Sequence, residues 1–177
     1  MKSLKIAAIV IILAIAGVLA VAAMQPDRFS VRRAASIKAP PEKIFPLISD
    51  FSRWGAWSPY EKKDPAMKRS FSGPAAGAGA VYAWEGNQDV GQGRMEITDS
   101  AAPSRVSLKL DFVKPFEAHN QVDFTLQPTG EATTVTWAMQ GPMPFISKVI
   151  CLFVDMDRMV GQDFEAGLAS LKSIAER

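Results

Sequence analysis

Residues 145–177, FISKVICLFVDMDRMVGQDFEAGLASLKSIAER, decide the fold, because apolar side chains recur there every three or four residues. The apolar series is Ile146, Val149, Ile150, Phe153, Met156, Val160, Phe164, Leu168, Leu171 and Ile174. Charged side chains such as Asp155, Arg158, Asp163, Glu165 and Lys172 occupy the other side. This period predicts one amphipathic helix from about residue 146 to 175, about eight turns long.

The chain before this helix changes to a period of two. A strand is expected around 29–38, followed by short helices around 41–50 and 51–57. Between residues 67 and 139 come short alternating runs, of which the clearest is Val106 to Phe112. Loops this short permit mainly antiparallel pairing. We therefore predict an α+β domain over 29–177, in which a curved antiparallel sheet closes around the long C-terminal helix.

The N-terminal segment, residues 1–25, has a different composition. From Ile6 to Ala23 no side chain is charged or polar, and Lys2 and Lys5 precede the run. As a helix it would span roughly 27 Å, close to the ~30 Å hydrocarbon core of a bilayer. The favoured interpretation is a single-pass transmembrane anchor that holds the domain outside the cytoplasm. One alternative is a signal peptide, cleaved after a small-residue site such as Ala20 to Ala22, with a secreted domain. The other is a helix buried within the protein.

Composition argues against several kinds of site. A net charge of +2 is too small to indicate a nucleic-acid partner, and one cysteine cannot form an internal disulfide. A metal site needs three or four suitable ligands, and the chain has one histidine, His119, and one cysteine, Cys151. Strand parity places His119 on the solvent side, and Cys151 is expected to be a packed thiol. We predict no metal and no cofactor.

Several short motifs resemble those of one bacterial family. They are Ile37-x-Ala39-Pro40-x-x-x-Ile44-Phe45, Trp54-x-x-Trp57-Ser58-Pro59, Asp64-Pro65-x-Met67, Gly79-Ala80-x-Tyr82-x-Trp84-x-Gly86-Asn87, Gly91-x-Gly93-x-Met95-x-Ile97 and the strand Thr134 to Trp137. In order and spacing, from Phe29 to the C-terminus, they resemble the membrane-anchored SRPBCC proteins, also called START-like or polyketide cyclase-like. The resemblance implies a helix-grip fold. It does not define the function, because such folds host carriers, cyclases and interaction modules.

The candidate ligand-binding residues are the aromatic, Met and polar side chains that parity turns toward the interior. They are Trp57, Arg69, Phe71, Tyr82, Trp84, Met95, Phe112, Asn120, Phe124, Trp137, Met139, Phe153 and Phe164. A few polar groups among apolar walls are typical of a small-molecule site. The alternatives are an ordinary packed core and, for Arg69, an ion pair with a buried acid. The short helices around Phe45 to Trp57 and the Gly73–Gly79 loop are the expected lid.

The favoured function is a membrane-anchored binding domain for a hydrophobic or lipid-like small molecule, without catalysis of its own. One alternative is a polyketide cyclase or aromatase in which Arg69, Tyr82 or Glu85 donates or accepts protons. Another is an interaction module that docks a partner protein through an exposed apolar patch. The sequence leaves the ligand and the oligomeric state open.

Overall fold

The computed structural model describes residues 2–177, so Met1, the first residue of the predicted anchor, lies outside the described residues. The elements follow in this order: α1 (Lys2–Ala23), β1 (Arg28–Ile37), α2 (Pro41–Ser49), the 3-10 helix η1 (Phe51–Ala56), α3 (Pro59–Lys63), β2 (Lys68–Ser72), β3 (Val81–Glu85), β4 (Gln92–Ala101), β5 (Arg105–Lys114), β6 (Ala118–Thr129), β7 (Ala132–Pro142), α4 (Phe145–Cys151) and α5 (Met156–Ala175).

The strands form one seven-stranded sheet in the order β1-β7-β6-β5-β4-β3-β2. Every neighbouring pair is antiparallel, and β1 joins the sheet through β7, with Arg28 opposite Pro142 and Ile37 opposite Thr133. The helix α5 packs on β1 and β7, whereas α2 covers β5 and β6. The predicted curved antiparallel sheet around a C-terminal helix, the helix-grip fold, is confirmed.

The C-terminal helix is not continuous, so the prediction of a single helix from 146 to 175 was wrong. It divides into α4 and a 20-residue α5, separated by residues 152–155. Asp155 caps α5, since its side chain accepts a hydrogen bond from the Arg158 backbone N–H at 2.9 Å. Apolar spacing continues through the interruption and hides it. One consequence is that Phe153 lies in the link and is 75% exposed.

A second difference lies after η1, where the sequence predicted a short helix around 51–57 and no further helix before the strands. Pro59 instead begins the short helix α3. Proline is well suited to the first helical position, where its missing N–H would have no intrahelical acceptor. This helix carries Glu61 to the sheet, where the side chain joins the candidate site described below.

The segment before the domain is helical as predicted. Residues 5–23 of α1 are long and apolar enough to cross a membrane, and only 6% of this window is buried. A cleaved signal sequence would satisfy the same criteria. The end of α1 packs against α4, and Ala22 is fully buried there. Membrane anchoring and the division of the chain at residues 25–29 remain predictions.

Candidate functional site

Strand register brings one row of predicted residues together across the inner face of the sheet. Phe71 on β2 lies opposite Tyr82 on β3, and Tyr82 lies opposite Met95 on β4. Met95 in turn lies opposite Leu110 on β5, which lies opposite Asn120 on β6. Tyr82 and Met95 are buried, Leu110 and Asn120 are half-buried, and Phe71, near the sheet edge, is exposed. The middle of the row is therefore buried, and its ends are accessible to solvent.

The next row toward the α1 end of the sheet contains three more predicted residues. Arg69 lies opposite Trp84, Trp84 opposite Gly93, and Gly93 opposite Phe112. The Trp84 and Phe112 rings meet edge to face with centroids 5.6 Å apart. A Cβ atom at Gly93 would lie 2.7 Å from the Trp84 ring, so this contact requires glycine. The absence of a side chain at position 93 thus lets the Trp84 ring approach the backbone of β4.

The deepest part of the domain is an aromatic cluster on the side of the sheet that α5 covers. Trp137 of β7 stacks on Phe164 of α5, with ring centroids 4.1 Å apart and planes 8° from parallel. Phe124 lies 4.9 Å from Trp137, and Trp57 meets Trp137 edge to face at 5.6 Å. A Cβ at Gly167 would lie 2.7 Å from the Trp137 ring. These side chains fill the space between the sheet and α5 near its middle.

Of the remaining predicted residues, Met139 lies inside and Phe153 does not. Met139 is buried on β7 opposite Val31 of β1. The prediction that Phe153 faces the interior was wrong, because the helix ends before it and the side chain points to the surface.

A polar group closes the row at the β2 and β3 side of the site. Glu61 of α3 accepts a hydrogen bond from the Tyr82 hydroxyl at 2.6 Å and another from the Arg69 Nε at 2.7 Å. The Arg69 guanidinium also donates to the Met67 carbonyl at 2.6 Å. Burial and the hydrogen bond to Glu61 raise the pKa of Tyr82, so its hydroxyl stays protonated. The predicted alternative for Arg69, a pairing with a buried acid, is therefore present, and Glu61 is the residue that the sequence did not indicate.

Within residues 2–177, one polar atom in the aromatic cluster has no hydrogen-bond partner. Three of the four tryptophans donate their indole N–H to a backbone carbonyl, namely Trp54 to Ile48, Trp57 to Leu47 and Trp84 to Val90. Trp137 is 3% exposed, and its Nε1 has no hydrogen-bond acceptor among the residues that the structure describes. An unpaired buried donor costs about 1–3 kcal/mol. A ligand that offers an acceptor here would recover that free energy.

An open cleft of about 580 Å³ lies between the beginning of β1 and the α4–α5 link. It is lined by Gln25, Pro26, Phe29, Ser30, Val31, Met143 and residues 151–157. Phe29 and Val31 belong to the inner face of β1, and Val31 lies opposite Met139. A Cβ at Gly141 would meet both the Phe29 ring and the Asn120 side chain, so these two converge at this glycine. The cleft therefore adjoins the row that contains Asn120.

A second, shallower cavity of about 240 Å³ lies on the outer face of the sheet. Its lining is largely polar and includes Ser30, Arg32, Asp123, Thr125 and Gln140.

The two segments predicted to form a lid are joined to each other. The indole hydrogen bonds of Trp54 and Trp57 return to α2 at 2.9 and 2.8 Å. The Gly77 backbone N–H, from the 73–79 loop, donates to the Ser49 carbonyl at 2.9 Å. Helix and loop therefore form one unit over the aromatic cluster, and a movement of this unit remains a prediction.

The histidine and the cysteine of this chain lie apart from the aromatic cluster. His119 is on the solvent side of β6, where its Nδ1 lies 2.7 Å from the Asp111 carboxylate, and this contact raises the pKa of the imidazole. Cys151 ends α4 and is half-buried. Among residues 2–177 no three His, Cys, Asp or Glu side chains are grouped so as to hold a metal ion.

The sequence profile that matches this chain covers residues 28–176 and describes the family "Polyketide cyclase / dehydrase and lipid transport". The chain belongs to this family. The match covers the whole sheet, α4 and α5, and thus all of the candidate residues. A search of the curated proteins finds no match.

Solved structures share the fold at low sequence identity. The Aha1 dimer structure from Colwellia psychrerythraea is 18% identical, with a TM-score of 0.60 over 84% of this chain and 96% of that one. The major latex-like protein of Panax ginseng is 13% identical, with a TM-score of 0.60 over 86% and 100%. DynU16, a protein in the dynemicin biosynthetic locus, is 20% identical, with a TM-score of 0.57 over 84% of this chain and 47% of its own length. These similarities establish the fold alone.

Proposed function

We propose that this family member binds a hydrophobic or lipid-like small molecule against the inner face of its sheet, without catalysing a reaction, and that α1 anchors it to a membrane. The observation that carries the proposal is the open cleft beside α4, since its volume of about 580 Å³ lies within the usual range of ligand sites, about 300–1,000 Å³. Apolar side chains from β1 and from the link line this cleft. Binding would come mainly from apolar surface removed from water.

The inner face of the sheet offers a path from the cleft toward the unpaired indole. Val31 lines the cleft and lies opposite Met139, which is two residues from Trp137 on the same face of β7. A ligand with an apolar body and one acceptor atom could follow this face, bury its body and pair with the Trp137 N–H. The space near Trp137 is filled by Phe164 and Trp57, so such a ligand would have to move these rings.

Binding can be tested with a variant that fills the cleft. The full chain, delipidated in a mild detergent, is incubated with ¹³C-labelled oleic acid, and native mass spectrometry counts the bound molecules. Val154→Trp places an indole in the cleft and should weaken binding about tenfold, equivalent to about 1.4 kcal/mol. The control Thr125→Trp adds the same side chain to the outer-face cavity and should bind as the wild type does. Equal binding by wild type and Val154→Trp would refute the cleft as the site.

A second candidate function, a polyketide cyclase-like enzyme, is favoured by the polar group at the sheet edge. The Tyr82 hydroxyl and the Glu61 carboxylate, 2.6 Å apart, form a donor and an acceptor beside an inner apolar row. Glu85, another candidate of this hypothesis, faces outward and pairs with Lys68 at 3.6 Å. Turnover of a polyketide by the wild type but not by Tyr82→Phe would support the enzyme. Binding that is unchanged in that variant, without turnover in either protein, supports the carrier.

Anchoring by α1 is tested on the mature protein. N-terminal sequencing of the chain from its host should begin at or next to Met1 if α1 is retained. A mature protein that begins near Met24 would show that α1 is a signal peptide, and the domain would then be free of the membrane.

A further inference from the structure

The large apolar side chains that remain exposed outside α1 are concentrated at one end of the domain. They are Met24, Val113, Phe116, Phe145, Ile146, Ile150, Phe153, Val154 and Met159, and Phe71 on β2 is the exception. In the sheet, Phe112 lies opposite Ala118 just before the β5–β6 turn, and Arg28 lies opposite Pro142. The turn that carries Phe116 is therefore at the same end as the start of β1 and the exit of α1.

The helix α4 presents an uncharged surface because its one charged side chain is turned inward. Lys148 is only 7% exposed, and its ammonium donates to the Asp27 carboxylate at 2.6 Å. The same segment is fixed by the Met143 backbone N–H, which donates to the Asp27 carbonyl at 2.7 Å. Phe145, Ile146 and Ile150 remain outside. A helix in water normally has the reverse arrangement, with apolar side chains buried and lysine exposed.

We propose that this apolar end, defined by Val113, Phe116, Phe145, Ile146, Ile150, Phe153 and Val154, lies in the interfacial region of the bilayer that α1 crosses. The inference rests on the proposed anchoring by α1. Continuity supports a lipid surface, because α4 packs directly against α1 and the Lys148–Asp27 pair holds it next to the anchor. Amphipathic helices of this kind insert their apolar side about 5–10 Å into the boundary between headgroups and acyl chains.

The position of the cleft gives this surface a role. Phe153 and Val154 both line the cleft and belong to the apolar end. With this end in the bilayer, the cleft opens toward lipid and not toward water. An apolar ligand would then pass from the membrane to the inner face of the sheet without crossing an aqueous layer. The exchange step is thus confined to molecules that partition into the bilayer.

The experiment measures the depth of nitroxide labels in the full chain, reconstituted in nanodiscs of phosphatidylcholine and phosphatidylglycerol. In a Cys151→Ser background, single labels are introduced through Phe116→Cys and Phe153→Cys. Ile12→Cys in α1 reports the bilayer interior, and Glu131→Cys, in the β6–β7 turn at the opposite end of the sheet, reports water. Electron paramagnetic resonance gives the accessibility of each label to oxygen and to a water-soluble nickel chelate. Thermal unfolding of each labelled chain shows that it is folded.

The expected result is that labels at 116 and 153 have oxygen-to-nickel accessibility ratios several-fold above that of the label at 131 and below that of the label at 12, as an interfacial position requires. Ratios at 116 and 153 equal to that at 131, with the label at 12 in lipid, would overturn the inference and leave the anchor intact. A water-exposed label at 12 would refute anchoring, and the inference with it. Dipolar broadening between labels at 153 would identify a second copy as the occupant and would also overturn it. Oleate binding is measured separately, so the two proposals fail by different results.

Discussion

The Glu61 carboxylate lies between Tyr82 and Arg69, and a double-mutant cycle on these three residues tests the structure of the polar group. Tyr82→Phe removes the hydroxyl that donates to Glu61 at 2.6 Å, and Glu61→Gln removes the charge while keeping the shape. Arg69→Met removes the guanidinium that donates at 2.7 Å. The cycle compares the free energy of unfolding of each single variant with that of each pair.

The two hydrogen bonds should differ in strength because their surroundings differ. The Glu61 side chain is 10% exposed and Tyr82 is buried, so their charge-assisted hydrogen bond should stabilise the fold by about 1.5–3 kcal/mol. The Arg69 side chain is 27% exposed, and solvent screening should limit its ion pair with Glu61 to at most about 1 kcal/mol. We therefore expect a larger coupling energy for Tyr82–Glu61 than for Arg69–Glu61.

Urea-induced unfolding of the full chain in a mild detergent, followed by tryptophan fluorescence, measures these free energies. The pH dependence gives a second criterion. Burial raises the pKa of Tyr82 above its ordinary value of about 10, so its contribution should be complete below pH ~10 and decrease as the pH rises further. The difference between wild type and Tyr82→Phe should shrink accordingly. A larger coupling for Arg69 than for Tyr82, or a difference that grows above pH 10, would refute this account of the group.

Further predictions concern the packing of α5 and the attachment of α4. Gly167→Ala places a Cβ 2.7 Å from the Trp137 ring. The steric overlap should cost about 1–3 kcal/mol, whereas alanine should gain about 1 kcal/mol in helix propensity. The variant should therefore unfold at a lower temperature than the wild type. Gly55→Ala is the control, because nothing lies within 4 Å of the added atom, and it should leave the unfolding temperature unchanged or raise it. A larger decrease in unfolding temperature for Gly55→Ala than for Gly167→Ala would contradict the packing described for α5. Asp27→Asn leaves the Lys148 ammonium buried without its carboxylate, so amide hydrogen exchange in α4 should accelerate, whereas Lys148→Met should retain slow exchange. The hydrogen bond from Lys148 lowers the pKa of Asp27. In the wild type the ion pair should therefore persist above the ordinary aspartate pKa of about 4 and be lost as the pH falls below it. Equal rates of amide hydrogen exchange in Asp27→Asn and Lys148→Met would argue against the pair.

The sheet could be predicted from the sequence because its signals are local. Alternation from Val106 to Phe112 identified β5, and the short connections required antiparallel neighbours. The same alternation correctly turned Tyr82, Met95 and Trp137 inward. The pairing of β1 with β7 lies beyond such signals, because it joins segments about a hundred residues apart. Sequence analysis did not predict that pairing.

The features that could not be predicted from the sequence depend on tertiary contacts or on a single capping residue. The interruption before α5 is set by the Asp155 cap, while Val149, Phe153 and Met156 maintain a helical period across it. Glu61 is a charged residue in a five-residue helix, and its burial arises only when Tyr82, 21 residues later, meets it across the sheet edge. The burial of Lys148 likewise depends on tertiary contacts. Helical periodicity alone places this lysine on the solvent side of the helix.

Native mass spectrometry of the full chain shows whether the domain holds an apolar small molecule. The chain is extracted gently from membranes of its host, transferred to the gas phase in a mild detergent, and activated until the micelle is lost. We expect the wild-type chain to carry an added mass that dissociates as one small species. A smaller fraction of Val154→Trp molecules should carry this mass. A wild-type chain that carries only its own mass, and that also takes up no oleate, would contradict the claim.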